Sequence, residues 1–233
     1  MEIFGSLRSG RTKSPRAEHD EAVRKIRKEL LEQPTRPEYL ATRRPVLDDL
    51  RRVGCDVPTL EHLKADIKLW KAAVPVLIEW LDRLEGDGPD NLKEEIARLL
   101  AAKFAKGAEP ALIRTFIAAQ NPGLKWAAGN SLFVLASSKF AGELLAIARD
   151  RQHGTTRQMV VYGLWKLKSQ QAYEAAVDCL DDEGVRLHAI YALGRMKNPK
   201  AIPLLEPLLN SERAGVRRET KKALERLRKI TAP

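Results

Sequence analysis

Hydrophobic residues along this chain recur at helical spacing, and the same spacing returns several times. The segment "VRLHAIYAL" has apolar or small residues at relative positions 0, +4, +7 and +8, which form one face of an α-helix: Val185, Ala189, Ala192 and Leu193. Four further segments fit this template, with position 0 at Leu92, Leu124, Thr156 and Val216. No alternating apolar run indicates a strand. The pattern predicts five copies of one partly buried helix.

Position +7 of the template is occupied by a small residue in four of the five copies: Ser131, Gly163, Ala192 and Ala223. Small side chains at one fixed position indicate that neighbouring helix backbones approach each other closely there. We therefore expect the five helices to pack side by side.

A second apolar pattern lies between the template helices, in "AVPVLIEWL", "AEPALIRTFI", "AGELLAIA", "QAYEAAVDCL" and "AIPLLEPLL". Three of these segments have proline at the same position, which predicts a place in the first turn of a helix: Pro75, Pro110 and Pro203. Short stretches rich in Gly, Asn and Asp separate the two patterns. Each repeat is thus predicted to be a helix A, a turn and a helix B, in about 30 residues.

The repeats predict an all-α solenoid, because each helical hairpin buries its apolar face only against its neighbours. We expect about five units, at residues 73–107, 108–139, 140–169, 170–198 and 199–229. Residues 18–72 also have a helical pattern but do not fit the template, so they are predicted to form an atypical N-terminal cap. Residues 1–17 are basic and low in hydrophobicity, which predicts a disordered tail.

The stretch "DDEGVRLHAIYALGRMKNPKAIPLLEPLL" resembles the HEAT-like repeat family, in the short bacterial form also called phycobilisome-lyase-type HEAT repeats. The resemblance extends over about residues 73–229 and implies a right-handed α-solenoid. It implies little about function, because such arrays host many unrelated functions.

Formal charge is +10 with a pI near 9.7, which favours attraction to nucleic acid, acidic proteins or anionic surfaces. No apolar run reaches the roughly 20 residues of a membrane helix, and no secretory signal is recognisable, so a cytoplasmic protein without membrane contact is predicted. Cys55 and Cys179 are expected to be reduced, buried thiols.

A basic residue follows position 0 in all five template helices, and we call this set the basic column: Lys93, Lys125, Arg157, Arg186 and Arg217. The resemblance implies a structural ladder, in which these cations pair with loop acids such as Asp181 or Asp182 in adjacent repeats. The alternative is a line of cations that binds an extended anionic partner.

Large side chains form a second stripe on the B helices, outside the core positions. Trp126, Asn130 and Phe133 lie at i, i+4 and i+7, and the same spacing holds for Gln158, Tyr162 and Trp165, followed by Leu187 and Tyr191. In a solenoid of this type the B helices line the concave side, so the stripe predicts a partner-binding groove formed by Trp126, Asn130, Gln158, Tyr162, Trp165 and Tyr191. The alternative is that these side chains only pack between repeats.

No catalytic, metal-binding or cofactor motif is recognisable. The four histidines have no partners at metal-ligand spacing, and His62 with Asp66 is better explained as a helix surface. Some proteins of similar fold are alkylbase DNA glycosylases, but here Asn130 stands one turn after Trp126 where those need a carboxylate. Others attach bilins to phycobiliproteins.

These observations favour a non-catalytic module that binds a protein or peptide on the B helices. Nucleic-acid binding through a basic surface is the first alternative. An enzyme of HEAT-like fold, similar to a bilin lyase or an alkylbase DNA glycosylase, is the second.

Overall fold

The computed structural model describes residues 37–231, in which helices are joined by turns and short loops and no strand is present. The predicted tail and the part of the predicted cap before Pro37 lie outside the described residues. The α-helices are α1 Pro37–Arg52, α2 Ile67–Arg83, α3 Leu92–Leu99, α4 Glu109–Ala118, α5 Pro122–Leu135, α6 Ala141–Arg149, α7 Gln158–Gly163, α8 Gln170–Asp178, α9 Arg186–Arg195, α10 Ile202–Leu205 and α11 Ala214–Thr231.

Short 3-10 helices connect or extend these elements, at Leu60–Ala65, Pro89–Asn91, Ser138–Phe140, Arg151–Arg157, Leu164–Leu167, Cys179–Asp181, Pro199–Ala201 and Glu206–Asn210. A compact unit of the structure begins at Ala41. The helical array lies in this unit.

Five helix pairs follow one another along the chain and form an all-α solenoid, as the repeats predicted. The A helices are α2, α4, α6, α8 and α10, and the B helices are α3, α5, α7, α9 and α11. Every one of the template positions is buried except Thr156, which is half-buried. The template therefore describes the core of the array.

The ends of three B helices repeat each other at the level of the backbone. Ala136, Lys168 and Lys197 all stand twelve residues after position 0 of their copy, and all three have positive φ, at 39°, 51° and 56°. A left-handed residue after a helix turns the chain and satisfies the last carbonyl groups. The repeat thus includes a common helix stop that the hydrophobic pattern did not reveal.

Close approach of the B helices explains the small residues at position +7. The hydroxyl of Ser131 donates to the backbone carbonyl of Ala97 on the preceding B helix, at 2.7 Å. A Cβ atom added to Gly194, two residues after the small Ala192, would lie 2.7 Å from the Cβ of Ala223. Larger side chains would separate these helices.

The expected boundary between cap and array, at residues 72 and 73, falls inside α2. Asp66 starts this helix earlier, since its carboxylate accepts from the backbone N–H groups of Lys68 at 2.7 Å and Leu69 at 3.5 Å. Pro75 consequently lies in the helix interior rather than in the first turn. Pro110 and Pro203 each stand at the second residue of a helix, as expected.

Helix A of the fifth repeat is short and irregular. Four α-helical residues, α10, are followed by the 3-10 helix Glu206–Asn210, which contains Pro207. Proline lacks the N–H that would continue the α-helical ladder, and its ring clashes with the preceding turn. This local geometry is the expected result of a second proline four residues after Pro203.

Helix α1 and the residues that follow it attach to the first repeat through polar contacts. The indole N–H of Trp80 on α2 donates to Asp49 on α1 at 2.9 Å, and buried Arg43 on α1 pairs with Glu95 on α3 at 3.2 Å. Cys55 is buried and its thiol donates to the carbonyl of Leu69 at 3.3 Å. These contacts cover the free side of the first repeat.

Candidate interaction surface on the B helices

Three side chains of the basic column bind carbonyl groups where their own A helix ends. Lys93 donates to the carbonyls of Leu84 and Gly86 at 2.7 and 2.9 Å, and the Nε atom of Arg186 donates to Leu180 at 2.6 Å. Arg217 donates to two carbonyls, each at 2.7 Å, in the loop after helix A of its repeat. The last carbonyls of a helix have no partner within it and carry partial negative charge, so a cation stabilises them.

Arg157 has the most buried side chain of the column, with 1% of its surface exposed. Its guanidinium donates to the carbonyl of Ala148 at the end of α6 and pairs with the carboxylate of Asp182 in the next repeat. The thiol of Cys179, which is also buried and unpaired, lies 3.7 Å from the same guanidinium. The Arg157 side chain therefore joins the third repeat to the fourth.

Lys125 differs from the rest of the column, because its ammonium group lies beside a histidine. The Nζ atom is 3.3 Å from Nδ1 of His153, and it stands 5.7 Å from the ring centre of Phe116. Burial, and then the charge of Lys125, lower the pKa of His153. A neutral His153 accepts from the ammonium group.

Most of these contacts are structural, although only Arg157 pairs with an acid of the adjacent repeat, as the ladder predicts. Lys93 and Arg157 are buried, Arg186 donates to the carbonyl of Leu180, and one nitrogen of the exposed Arg217 donates to two carbonyls. A phosphate-binding line needs exposed cations with free donors.

The large side chains of the second stripe lie on the opposite side of the B helices. They occupy positions +2, +6, +9 and +10 of the template, rotated by about 200° from the core face at 100° per residue. We call the large side chains at these positions the B-helix surface: Glu94, Arg98, Trp126, Asn130, Phe133, Val134, Gln158, Tyr162, Trp165, Lys166, Leu187, Tyr191, Arg195, Arg218, Lys222, Glu225 and Arg226.

Aromatic rings from three consecutive B helices contact one another on this surface. Phe133 and Tyr162 meet edge to face with ring centres 5.2 Å apart, and Tyr162 stacks on Tyr191 at 3.9 Å and 16°. Burial and the contact with the Tyr191 hydroxyl raise the pKa of Tyr162 to about 12. The three rings thus form a continuous aromatic ladder across three repeats.

Cations cover aromatic rings of the preceding repeat. Lys166 lies 3.9 Å from the centre of the Phe133 ring, and the guanidinium of Arg195 lies 4.5 Å from the centre of Trp165. Arg226 lies 5.6 Å from the Tyr191 ring. Attraction between a cation and an aromatic face helps to hold adjacent repeats together.

The remaining predicted site residues flank the aromatic ladder. Trp126 is 36% exposed, with the guanidinium of Arg98 5.5 Å from its ring centre. Gln158 donates to the carbonyl of Gly184 in the next repeat at 2.8 Å, and Asn130 is half-buried. Leu187 is 37% exposed. The stripe therefore packs between repeats and also presents part of its surface to solvent.

Sequence reasoning missed the cations at position +10 of the last three B helices, Lys166, Arg195 and Arg226. The sequence does contain a signal for these cations, because Lys or Arg occupies position +10 in three successive copies. Position +10 lies one helical turn after position +6, which holds Tyr162 and Tyr191. It also missed His188, whose ring centre lies 5.9 Å from that of Tyr162 and whose pKa is lowered by burial.

Among residues 37–231 there is no group of three His, Cys, Asp or Glu side chains placed to hold a metal ion. No helix in the described part of the chain is long and apolar enough to cross a bilayer. His62 bonds to Thr59 and Asp66 starts α2, so these two have separate local contacts.

The fold defines a class of protein, the helical repeat arrays, and comparisons with known proteins agree. The family model of HEAT repeats matches residues 141–225. The match spans the last three helix pairs and confirms the HEAT-like repeats that the resemblance in the sequence implied.

One similar solved structure is the crystal structure of an engineered protein from a structural genomics consortium, 17% identical in sequence. The match has a TM-score of 0.54 and covers 87% of this chain and 96% of that one, which is a likeness of fold. No curated protein matches the chain.

Proposed function

We propose that this protein is a non-catalytic interaction module that binds a protein or peptide on the B-helix surface. HEAT repeats generally serve as scaffolds for protein interactions, in accord with this proposal. The observation that carries it is the row of half-exposed aromatic side chains across three B helices, with cations beside them. Rigid aromatic side chains and arginines are the residues that supply most binding energy at protein interfaces.

The arrangement of the rings favours a protein over a nucleic acid. Binding of single strands relies on open aromatic faces for stacking of bases. Here Tyr162 and Tyr191 cover each other, and Lys166 and Arg195 lie over Phe133 and Trp165. The edges of these rings and the alkyl parts of the cations are the surface that remains, which suits the side chains of a peptide.

Selection from a random peptide library displayed on phage tests the proposal. Peptides recovered on the wild-type protein are then titrated against Trp126→Ala, which removes an exposed ring of the B-helix surface. We expect about a tenfold loss of affinity, because a buried tryptophan anchor is typically worth more than 1 kcal/mol.

Ile117→Ala is the matched control, since Ile117 is an exposed apolar residue on an A helix with 56% of its surface accessible. It is expected to bind the peptides as the wild type does. Peptides that bind Trp126→Ala normally and lose affinity for Ile117→Ala would place the binding surface on the A helices and contradict the proposal.

A further inference from the structure

Positive charge at the C-terminal end of the B-helix surface is only partly balanced. The B-helix positions on α9 and α11 hold Arg195, Arg218, Lys222 and Arg226 against one acid, Glu225. Glu219, beside this surface, pairs with Arg226 at 3.3 Å. Arg195, Arg218 and Lys222 are exposed, and within the described residues none of the three has a carboxylate partner.

Arg195 differs from the other two because its position is fixed. Its guanidinium lies 4.5 Å from the ring centre of Trp165 and 5.7 Å from that of Tyr191, so two aromatic side chains from successive repeats hold it. No hydrogen bond within residues 37–231 uses its N–H groups. A guanidinium held over aromatic faces still presents donors at its edge.

We infer that Arg195 binds a carboxylate of the partner, and that the partner segment on the B-helix surface is an acidic peptide. This inference rests on the proposed function and specifies the chemistry of the ligand. A carboxylate matches the fork of a guanidinium with two parallel N–H···O bonds. Since Trp165 and Tyr191 already order the arginine, binding costs less side-chain entropy than it would at a flexible cation.

Exposed Arg218 and Lys222 extend the same positive region onto α11, where they attract further acids of the segment. Trp126 and Leu187, at the other end of their helices, offer exposed apolar area. The surface thus fits a segment that combines carboxylates with apolar side chains. One preordered guanidinium between two rings suits a single carboxylate better than the many phosphates of a nucleic acid.

Peptide selection on three proteins tests the inference: the wild type, Arg195→Gln and Arg151→Gln. Arg151 is an exposed arginine outside the B-helix surface and serves as the matched control. We expect Asp and Glu to be enriched in peptides selected on the wild type and on Arg151→Gln, and this enrichment to disappear on Arg195→Gln. Thermal melting followed by circular dichroism verifies that each variant is folded.

One recovered acidic peptide is then labelled with fluorescein and titrated by anisotropy. Arg195→Gln should weaken its binding about tenfold, and replacing the acids of the peptide by their amides should have a similar effect on the wild type. Arg195→Lys keeps the positive charge and loses the planar guanidinium. Its affinity for the peptide should lie between that of the wild type and that of Arg195→Gln.

The outcomes separate this inference from the proposed function. Suppose that the selected peptides need Trp126 but show no enrichment of Asp and Glu, or show the same enrichment on Arg195→Gln. Either result overturns the inference of an acidic ligand and leaves the proposed interaction surface intact. Failure to recover any peptide overturns both. Tighter binding of labelled single-stranded DNA than of the peptide at physiological salt would replace the acidic peptide by a nucleic acid.

Discussion

Arg157 of the third repeat and Asp182 of the fourth form an ion pair in which the arginine is almost wholly buried. The same guanidinium donates to the carbonyl of Ala148 at the end of α6. One side chain therefore caps the C-terminal end of a helix in its own repeat and fixes the position of the next repeat. The basic column holds the array together at this point, whereas the proposed interaction surface lies on a different face of the B helices.

The substitution Asp182→Asn is expected to destabilise the protein by about 3 kcal/mol, because it leaves the buried charge of Arg157 without a counter-charge. In the wild type, the other carboxylate oxygen of Asp182 accepts from the backbone N–H of Gly184 at 2.9 Å. The amide oxygen of the variant can keep this hydrogen bond. Urea unfolding followed by circular dichroism measures the effect. Asp178→Asn is the control, since its pair with Arg149 is exposed and should be worth less than about 1 kcal/mol. Equal losses in both variants would show that Arg157 does not depend on Asp182.

Two glycines test the close packing of the B helices. Gly194→Ala places a Cβ atom 2.7 Å from the Cβ of Ala223 and should cost about 1–3 kcal/mol, because neither backbone can yield easily. Gly142→Ala, in α6, meets no atom within 4 Å and should stabilise the helix by about 0.5–1 kcal/mol. Thermal melting of the two variants measures these opposite changes in stability. A stable Gly194→Ala variant would mean that α9 and α11 are further apart than described.

Trp165 has an indole N–H that is buried and lacks an acceptor among the described residues. Trp165→Phe removes this unsatisfied donor and keeps a ring beneath Arg195, so its stability should stay within about 1 kcal/mol of the wild type. Trp165→Ala removes the whole ring and should cost about 2 kcal/mol or more. Chemical denaturation of the two variants gives both numbers. If the phenylalanine variant is as unstable as the alanine variant, the indole N–H has a partner in solution.

Two histidines predict how stability depends on pH. Burial, and next the charge of Lys125, lower the pKa of His153, and burial lowers that of His188, both from an ordinary value of 6.5. Below that value the unfolded chain binds protons that the folded protein does not accept, so stability is complete above about pH 6.5 and falls as the pH decreases through the range below it.

Urea unfolding at a series of pH values between about 8 and 5 measures this slope. The double variant His153→Gln, His188→Gln should show a shallower decrease than the wild type over the same range. An unchanged slope would assign the loss of stability to other groups.

The sequence predicted the core of the array well, because burial repeats with the period of the helix. Val185 and its equivalents are buried in four of five copies, and positions +4, +7 and +8 in all five. Helix starts were harder to predict. The carboxylate of Asp66 caps α2, and the hydrophobic pattern does not mark this start, so the expected array boundary falls inside the helix.

The B-helix surface was predicted only in part, because its side chains contact residues about 30 positions away in sequence. The spacing of Trp126, Tyr162 and Tyr191 indicated a shared face. It did not indicate that Tyr162 stacks on Tyr191 or that Arg195 covers Trp165, since these contacts depend on the distance between adjacent repeats. The partners of the basic column were also hidden, because four of its members bind backbone carbonyls, which have no signature in sequence.

The four tryptophans provide the most direct test of the proposed interaction surface. Trp126 and Trp165 belong to the B-helix surface, whereas the indole N–H groups of Trp70 and Trp80, on α2, are bonded to Leu99 and Asp49, each at 2.9 Å. We would titrate protein labelled with nitrogen-15 tryptophan with a selected peptide and follow the four indole N–H signals by NMR. The account predicts that the signals of Trp126 and Trp165 shift while those of Trp70 and Trp80 stay in place. Shifts confined to Trp70 or Trp80 would contradict it.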